Sequence, residues 1–160
     1  MINFTVPGTP QGKGRARSFV RNGHVGHYTP EKTRTYEGMI RVLAMQAMGA
    51  NPPIEGPVEM TLFIVMPVPK SWPAWKRDMA VAGQIMPTTK PDVSNIQKAV
   101  EDALNGVVWL DDCQVVSVIK TKLYTGGEFR NPGVYVSVTQ MRAAPAQCDR
   151  KSAERVLHGS

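Results

Sequence analysis

The sequence predicts an α+β domain. Segments 2–6 and 57–66, together with 113–124 and 133–140, carry the alternating or continuous apolar residues of strands. Segments 30–48 and 94–105 carry apolar residues at helical spacing. At 160 residues, the chain has the length of one self-sufficient core.

In order, Ile2, Phe4 and Val6 alternate as a strand, and a Gly/Pro loop follows from Pro7 to Gly14. Its Gly12-Lys13-Gly14 is not a phosphate-binding P-loop: the spacing from Gly8 is wrong and no Ser or Thr follows the lysine. Ser18–Arg21 and His24–Tyr28 flank Asn22-Gly23, the strongest two-residue hairpin signal. Thr29 as cap, Pro30 in first position and Glu31 in the first turn predict a helix start, and Gly49 its end. Ser71 predicts the start of a short helix over 71–81, with Trp72 and Trp75 read as a packed flap or, with Lys76 and Arg77, as a base-stacking pair, packing being the commoner role. Ser94 and Gln97 predict a capping box for the 94–105 helix, and Asn105-Gly106 its stop. On that helix Ile96, Ala99, Val100, Ala103 and Leu104 form the inner face, while Ser94, Lys98, Glu101 and Asn105 line the opposite one. Gly126-Gly127 joins the last two strands, and residues 143–160 read as a flexible tail beyond a domain over 1–142. Cys113 reads as a small buried residue.

Composition narrows the function. Hydrophobic residues are 42% of the chain, too many for a disordered segment, and no apolar run approaches the ~20 residues that span a bilayer. The N-terminus lacks the plan of a signal peptide. Two cysteines in unlike contexts exclude a disulfide framework and a cysteine zinc site, so a soluble cytoplasmic protein is expected. The net charge of +6 is uneven: residues 1–51 hold seven Lys or Arg against two Glu, a local +5. Such an excess attracts polyanions, nucleic acid above all. Lys13, Arg15 and Arg17 fall on one side if their segment is extended.

The chemistry-bearing stretch is 90–114. Asp92 precedes one helix, and Asp111 and Asp112 precede a strand. Carboxylates converging beside Lys98 on a basic chain suit metal-assisted phosphodiester cleavage, since magnesium takes a few Asp oxygens and keeps its waters. On spacing alone the same residues also read as a cap, a polar turn and a solvated lysine. For the carboxylates to converge, the strand has to run back along the helix.

These residues resemble the RusA family of Holliday-junction resolvases. The family pattern is matched by Lys90-Pro91-Asp92-Val93-Ser94-Asn95-Ile96-Gln97-Lys98, then Asp102-Ala103-Leu104-Asn105-Gly106, then Trp109-Leu110-Asp111-Asp112-Cys113-Gln114-Val115. Pro10 to Arg17 and Tyr28 to Thr33 also resemble family segments. The resemblance covers about residues 2–141 and implies an α+β homodimer, a small mixed sheet with two main helices packed on it. It implies paired nicks in branched DNA, four-way junctions above all, with Mg²⁺ or Mn²⁺. It implies Asp92 and Asp112 as metal carboxylates, Lys98 as catalytic lysine and Asp111 as supporting acid. Lys13, Arg15, Arg17 and Lys90 are implied as DNA contacts. One position departs: the second signature Asp is Ser94. Either Glu101, farther along the same stripe, supplies the missing carboxylate, or the protein binds junctions with weakened or no cleavage. A third reading, a protein-interaction or RNA-binding domain with structural acids, is separated from both by its response to four-way DNA.

Overall fold

Four strands build the sheet and one crossover places the site. The computed structural model describes residues 1–142; the predicted tail at 143–160 lies outside the described residues. The elements are β1 (Ile2–Pro7), β2 (Arg17–Arg21), β3 (His24–Tyr28), α1 (Glu31–Met48), β4 (Val58–Met66), α2 (Ala74–Val81), α3 (Val93–Leu104), β5 (Val115–Tyr124) and β6 (Gly133–Gln140). The sheet order is β1-β6-β4-β5, with β4 and β5 parallel and the other pairs antiparallel. The architecture is α+β with a mixed four-stranded sheet, as the sequence predicts. β2 and β3 form a separate two-stranded ribbon. Its turn has Asn22 at φ 51° and Gly23 at φ 75°, the two positive values that a tight hairpin requires.

Parallel neighbours cannot be joined by a hairpin. The chain from β4 to β5 therefore crosses over, and that crossover carries α2, α3 and the Asp111-Asp112 turn. Alternation on β4 puts Val58, Met60, Leu62 and Ile64 on one face, where they join Ile40 and Ala44 of α1 and Ile96, Val100 and Leu104 of α3 in one core. Burying each of the three large α3 side chains stabilises by about 1.5–3 kcal/mol. Trp109 is fully buried, and its Nε1 donates to Asn105 Oδ1 (2.9 Å), which ties the end of α3 to the segment leading into β5. No helix among the described residues is long and apolar enough to cross a membrane.

Helix starts differ from expectation in three places. Pro30, not Thr29, is the cap residue of α1; its carbonyl accepts from Thr33 and Arg34 N, with no side-chain cap. α2 begins after Pro73 rather than at Ser71. Ser94 lies inside the first turn of α3: Asp92 is the cap position, and its carbonyl accepts from Ile96 N (3.1 Å). The box expected between Ser94 and Gln97 does not form; a capping box forms instead at Asp111 and Gln114, around a single 3-10 turn over Asp112–Gln114. That turn leaves Cys113 exposed, against the expectation of burial. Trp72 packs edge-on against Tyr124 at 5.4 Å, as a packing residue should, while Trp75 is exposed.

Candidate functional site

The Gly12-Lys13-Gly14 loop is a strap between the two long helices. Lys13 N donates to the Asn95 carbonyl of α3 (3.0 Å), and Gly14 N donates to Thr33 Oγ1 of α1 (3.0 Å). A Cβ on Gly14 would sit 2.6 Å from Thr33 Oγ1, too close without a shift, and one on Gly12 3.0 Å from Asn95 Cβ, a tight contact, so glycine eases the close approach at both.

The strap sets the direction of Lys13. Its ammonium turns inward to Asp102 Oδ2 and lies 3.8 Å from Glu37 Oε1. Asp102 also receives Lys98, whose Nζ is 3.3 Å away, and the same Nζ is 3.8 Å from Asp112 Oδ2. Lys98 thus joins α3 to the turn before β5. The hydrogen bond that Lys98 donates to Asp102, then the charge of Asp102, hold the Lys98 ammonium above the usual lysine range. At neutral pH it is a cation. Burial pushes the Glu37 carboxyl up, against the pull of Lys13. The Cys113 N–H donates to Asp111 Oδ1 (3.1 Å) and holds that carboxyl below its usual range, so Asp111 caps the turn.

A second group lies at the N-terminal end of α3. Arg15, Arg17, Lys32 and Lys90 line an open cleft of about 980 Å³ together with Lys13 and Asp92. Arg15, Arg17, Lys32 and Lys90 share this lining with Asp92, while the Lys13 ammonium is turned to Asp102. Asn95 Nδ2 is 3.5 Å from Asp92 Oδ2, and Asp92 forms no ion pair among the described residues. Lys122 of β5 donates to the Thr89 and Pro91 carbonyls and steadies the loop that carries Lys90 and Asp92.

β5 does run back along α3. Lys120 reaches Gln97, and Lys122, two residues on, reaches Pro91 at the helix start. The strand begins beside the middle of the helix, so Asp112 meets Lys98, six residues and about 9 Å of rise from Asp92. Glu101 Oε1 accepts from Gln97 Nε2 (2.7 Å) on the flank facing Lys120. Among the described residues no three His, Cys, Asp or Glu side chains gather as a metal cage. Carboxylate oxygens are the ligand type that magnesium and manganese take, and an open site leaves the remaining positions to water and phosphate oxygens.

Four contributors are not among the residues singled out from the sequence: Asp102, Glu37, Lys32 and Lys122. Asp102 and Lys32 stand within the quoted family segments, which was the available signal. Glu37 and Lys122 left none.

The family model described as "Endodeoxyribonuclease RusA" matches residues 7–139. A curated relative, the uncharacterized protein YqaN of Bacillus subtilis (strain 168), is 38% identical over 144 residues, covering 89% of this chain and 98% of its own length.

Proposed function

The chain belongs to the RusA endodeoxyribonuclease family, and from that premise we propose that it is a divalent-metal-dependent nuclease that resolves four-way and related branched DNA by paired nicks. The observation that carries this reading is the open cleft that Arg15, Arg17, Lys32 and Lys90 line together with Asp92. A phosphate chain lying along those cations is led to a carboxylate.

Asp92 and Asp112 are the residues that would hold Mg²⁺ or Mn²⁺. A bound ion supplies an acidified water and neutralises charge at the scissile phosphate. Lys98 brings a fixed ammonium beside Asp112 and faces the charge that develops on the phosphate or leaving oxygen. Asp111 keeps the turn, and with it the direction of Asp112. Arg15, Arg17 and Lys90 contact the DNA backbone, with Lys32 added to them, while Lys13 acts through Asp102. Glu101 serves as a third ligand only by opening its bond to Gln97. A homodimer suits the substrate, because two-fold symmetry presents two sites to two strands of a two-fold junction.

Ser94, exposed in the first turn of α3, favours a second reading, a junction binder with weak or no cleavage. Junction cleavage over a range of Mg²⁺ and Mn²⁺ concentrations decides. Cutting by the wild type, with losses of about 100-fold or more in Asp92→Asn and in Asp112→Asn, supports the nuclease. Binding by all three with cutting by none establishes the binder.

A further inference from the structure

Beyond Arg17, the β2–β3 ribbon has no place in the site described above, and its composition is unusual for a solvated hairpin. Its strands pack on each other and make no substantial contact with another helix or strand. The register pairs Arg17 with Tyr28, Phe19 with Gly26 and Arg21 with His24, so these side chains share one face. The other face carries Ser18, Val20, Val25 and His27, with no arginine. On the first face Phe19 and Tyr28 are each 47% exposed, and their ring centroids lie 6.2 Å apart. A Cβ on Gly26 would meet the Phe19 ring at 2.4 Å. The outer end of the ring therefore reaches over the glycine, while about half of the residue stays open to solvent. Arg17 belongs both to this face and to the basic cleft, which makes the two surfaces continuous. No Asp or Glu occurs before Glu31, so nothing on the ribbon repels a phosphate.

Open aromatic rings between guanidinium groups form the arrangement that binds nucleic-acid strands with unpaired bases. The rings stack on bases, whose π-faces are all alike, and the cations track the backbone. We infer that the Phe19–Tyr28 face of this ribbon is a stacking platform for unpaired DNA bases, set beside the cleft to receive a strand that opens at a branch point. This rests on the DNA-binding reading above and adds to it the element that senses unpaired bases.

The test uses the full chain in EDTA, so that no cleavage is required. Its probes are a short oligothymidylate strand, a duplex of equal length, and a four-way junction with a fluorescent adenine analogue at the exchange point. Phe19→Leu keeps apolar bulk and removes the π-face; it is expected to weaken strand binding about tenfold, to abolish the stacking-dependent fluorescence change, and to leave duplex affinity unchanged. The salt dependence stays that of the wild type, because no phosphate contact is lost. Phe19→Trp restores strand binding. Tyr28→Leu repeats the test if Phe19→Leu unfolds the ribbon. Equal losses on strand and duplex, or no loss on either, overturn the inference. The nuclease reading fails separately, when the wild type binds the junction and leaves it uncut in Mg²⁺ and Mn²⁺.

Discussion

Asp102→Asn is the sharpest probe of the network, because one carboxylate answers two lysines from different parts of the chain. The substitution keeps size and removes charge. The Lys98–Asp102 pair is an i,i+4 contact at 3.3 Å with a half-exposed lysine, so after solvent screening it contributes about 0.3–0.5 kcal/mol. The Lys13–Asp102 contact is tertiary and less exposed, which places it near the upper end for surface pairs, about 1 kcal/mol. Removing Asp102 also relieves its repulsion of Glu37, which offsets part of the loss. The net cost is about 1 kcal/mol, a fall in melting temperature of about 2–4 °C for a chain of this size. Thermal unfolding at low salt measures it. In 1 M salt, where the screening length is about 3 Å, most of the difference disappears. A double-mutant cycle with Lys13→Met is expected to show a coupling of about 0.5–1 kcal/mol. Freed from Asp102, Lys98 loses its fixed direction beside Asp112, so cleavage falls about 10- to 100-fold with junction binding retained. A coupling below about 0.2 kcal/mol, or cleavage equal to wild type, refutes the reasoning.

Two further outcomes concern the scaffold. Trp109→Phe keeps a buried ring and strands Asn105 Oδ1 without its donor, a loss of about 1–3 kcal/mol that denaturant unfolding detects; a neutral variant removes Trp109 as the tie between α3 and the Asp111-Asp112 turn. Glu37 has a folded-state pKa above its unfolded value, so the folded protein binds the extra proton. Its contribution is full below the unfolded pKa of about 4.3 and is lost as pH rises through the folded value. Wild type therefore gains melting temperature over Glu37→Gln as pH falls from 7 towards 4; a gain that grows with rising pH shows that attraction to Lys13 outweighs burial.

Periodicity carried the long elements, since burial of one face leaves its spacing in the residue order. α3 is of this kind, whereas the β2–β3 hairpin was legible from its Asn22-Gly23 turn. The start of α3 was not decided locally, because Asp92 and Ser94 are equally good capping residues. Contacts from distant segments accompany the observed start: Lys13 N on the Asn95 carbonyl and Lys122 Nζ on the Pro91 carbonyl. Cys113 was misread for a similar reason. Its neighbours look like the first residues of a strand, but Asp111 and Gln114 close a turn that points the thiol outward. Asp102 was hidden more deeply. Four residues after Lys98 it resembles an ordinary helix-surface pair, and its other partner, Lys13, lies 89 residues away.

From its residue order alone this protein is an α+β chain with a basic first third, strands and helices in their observed order, and an ordered series of motifs that resembles one nuclease family. Those features rest on local spacing and on composition, which folding leaves in place. Which cations share a cleft with Asp92, where Lys13 turns, and which carboxylate Lys98 meets were decided only in three dimensions. They depend on a parallel crossover that sends β5 back along α3 and on a glycine strap pressed between two helices. Charges interact through space, and the distances that set their strength do not exist until the chain has closed.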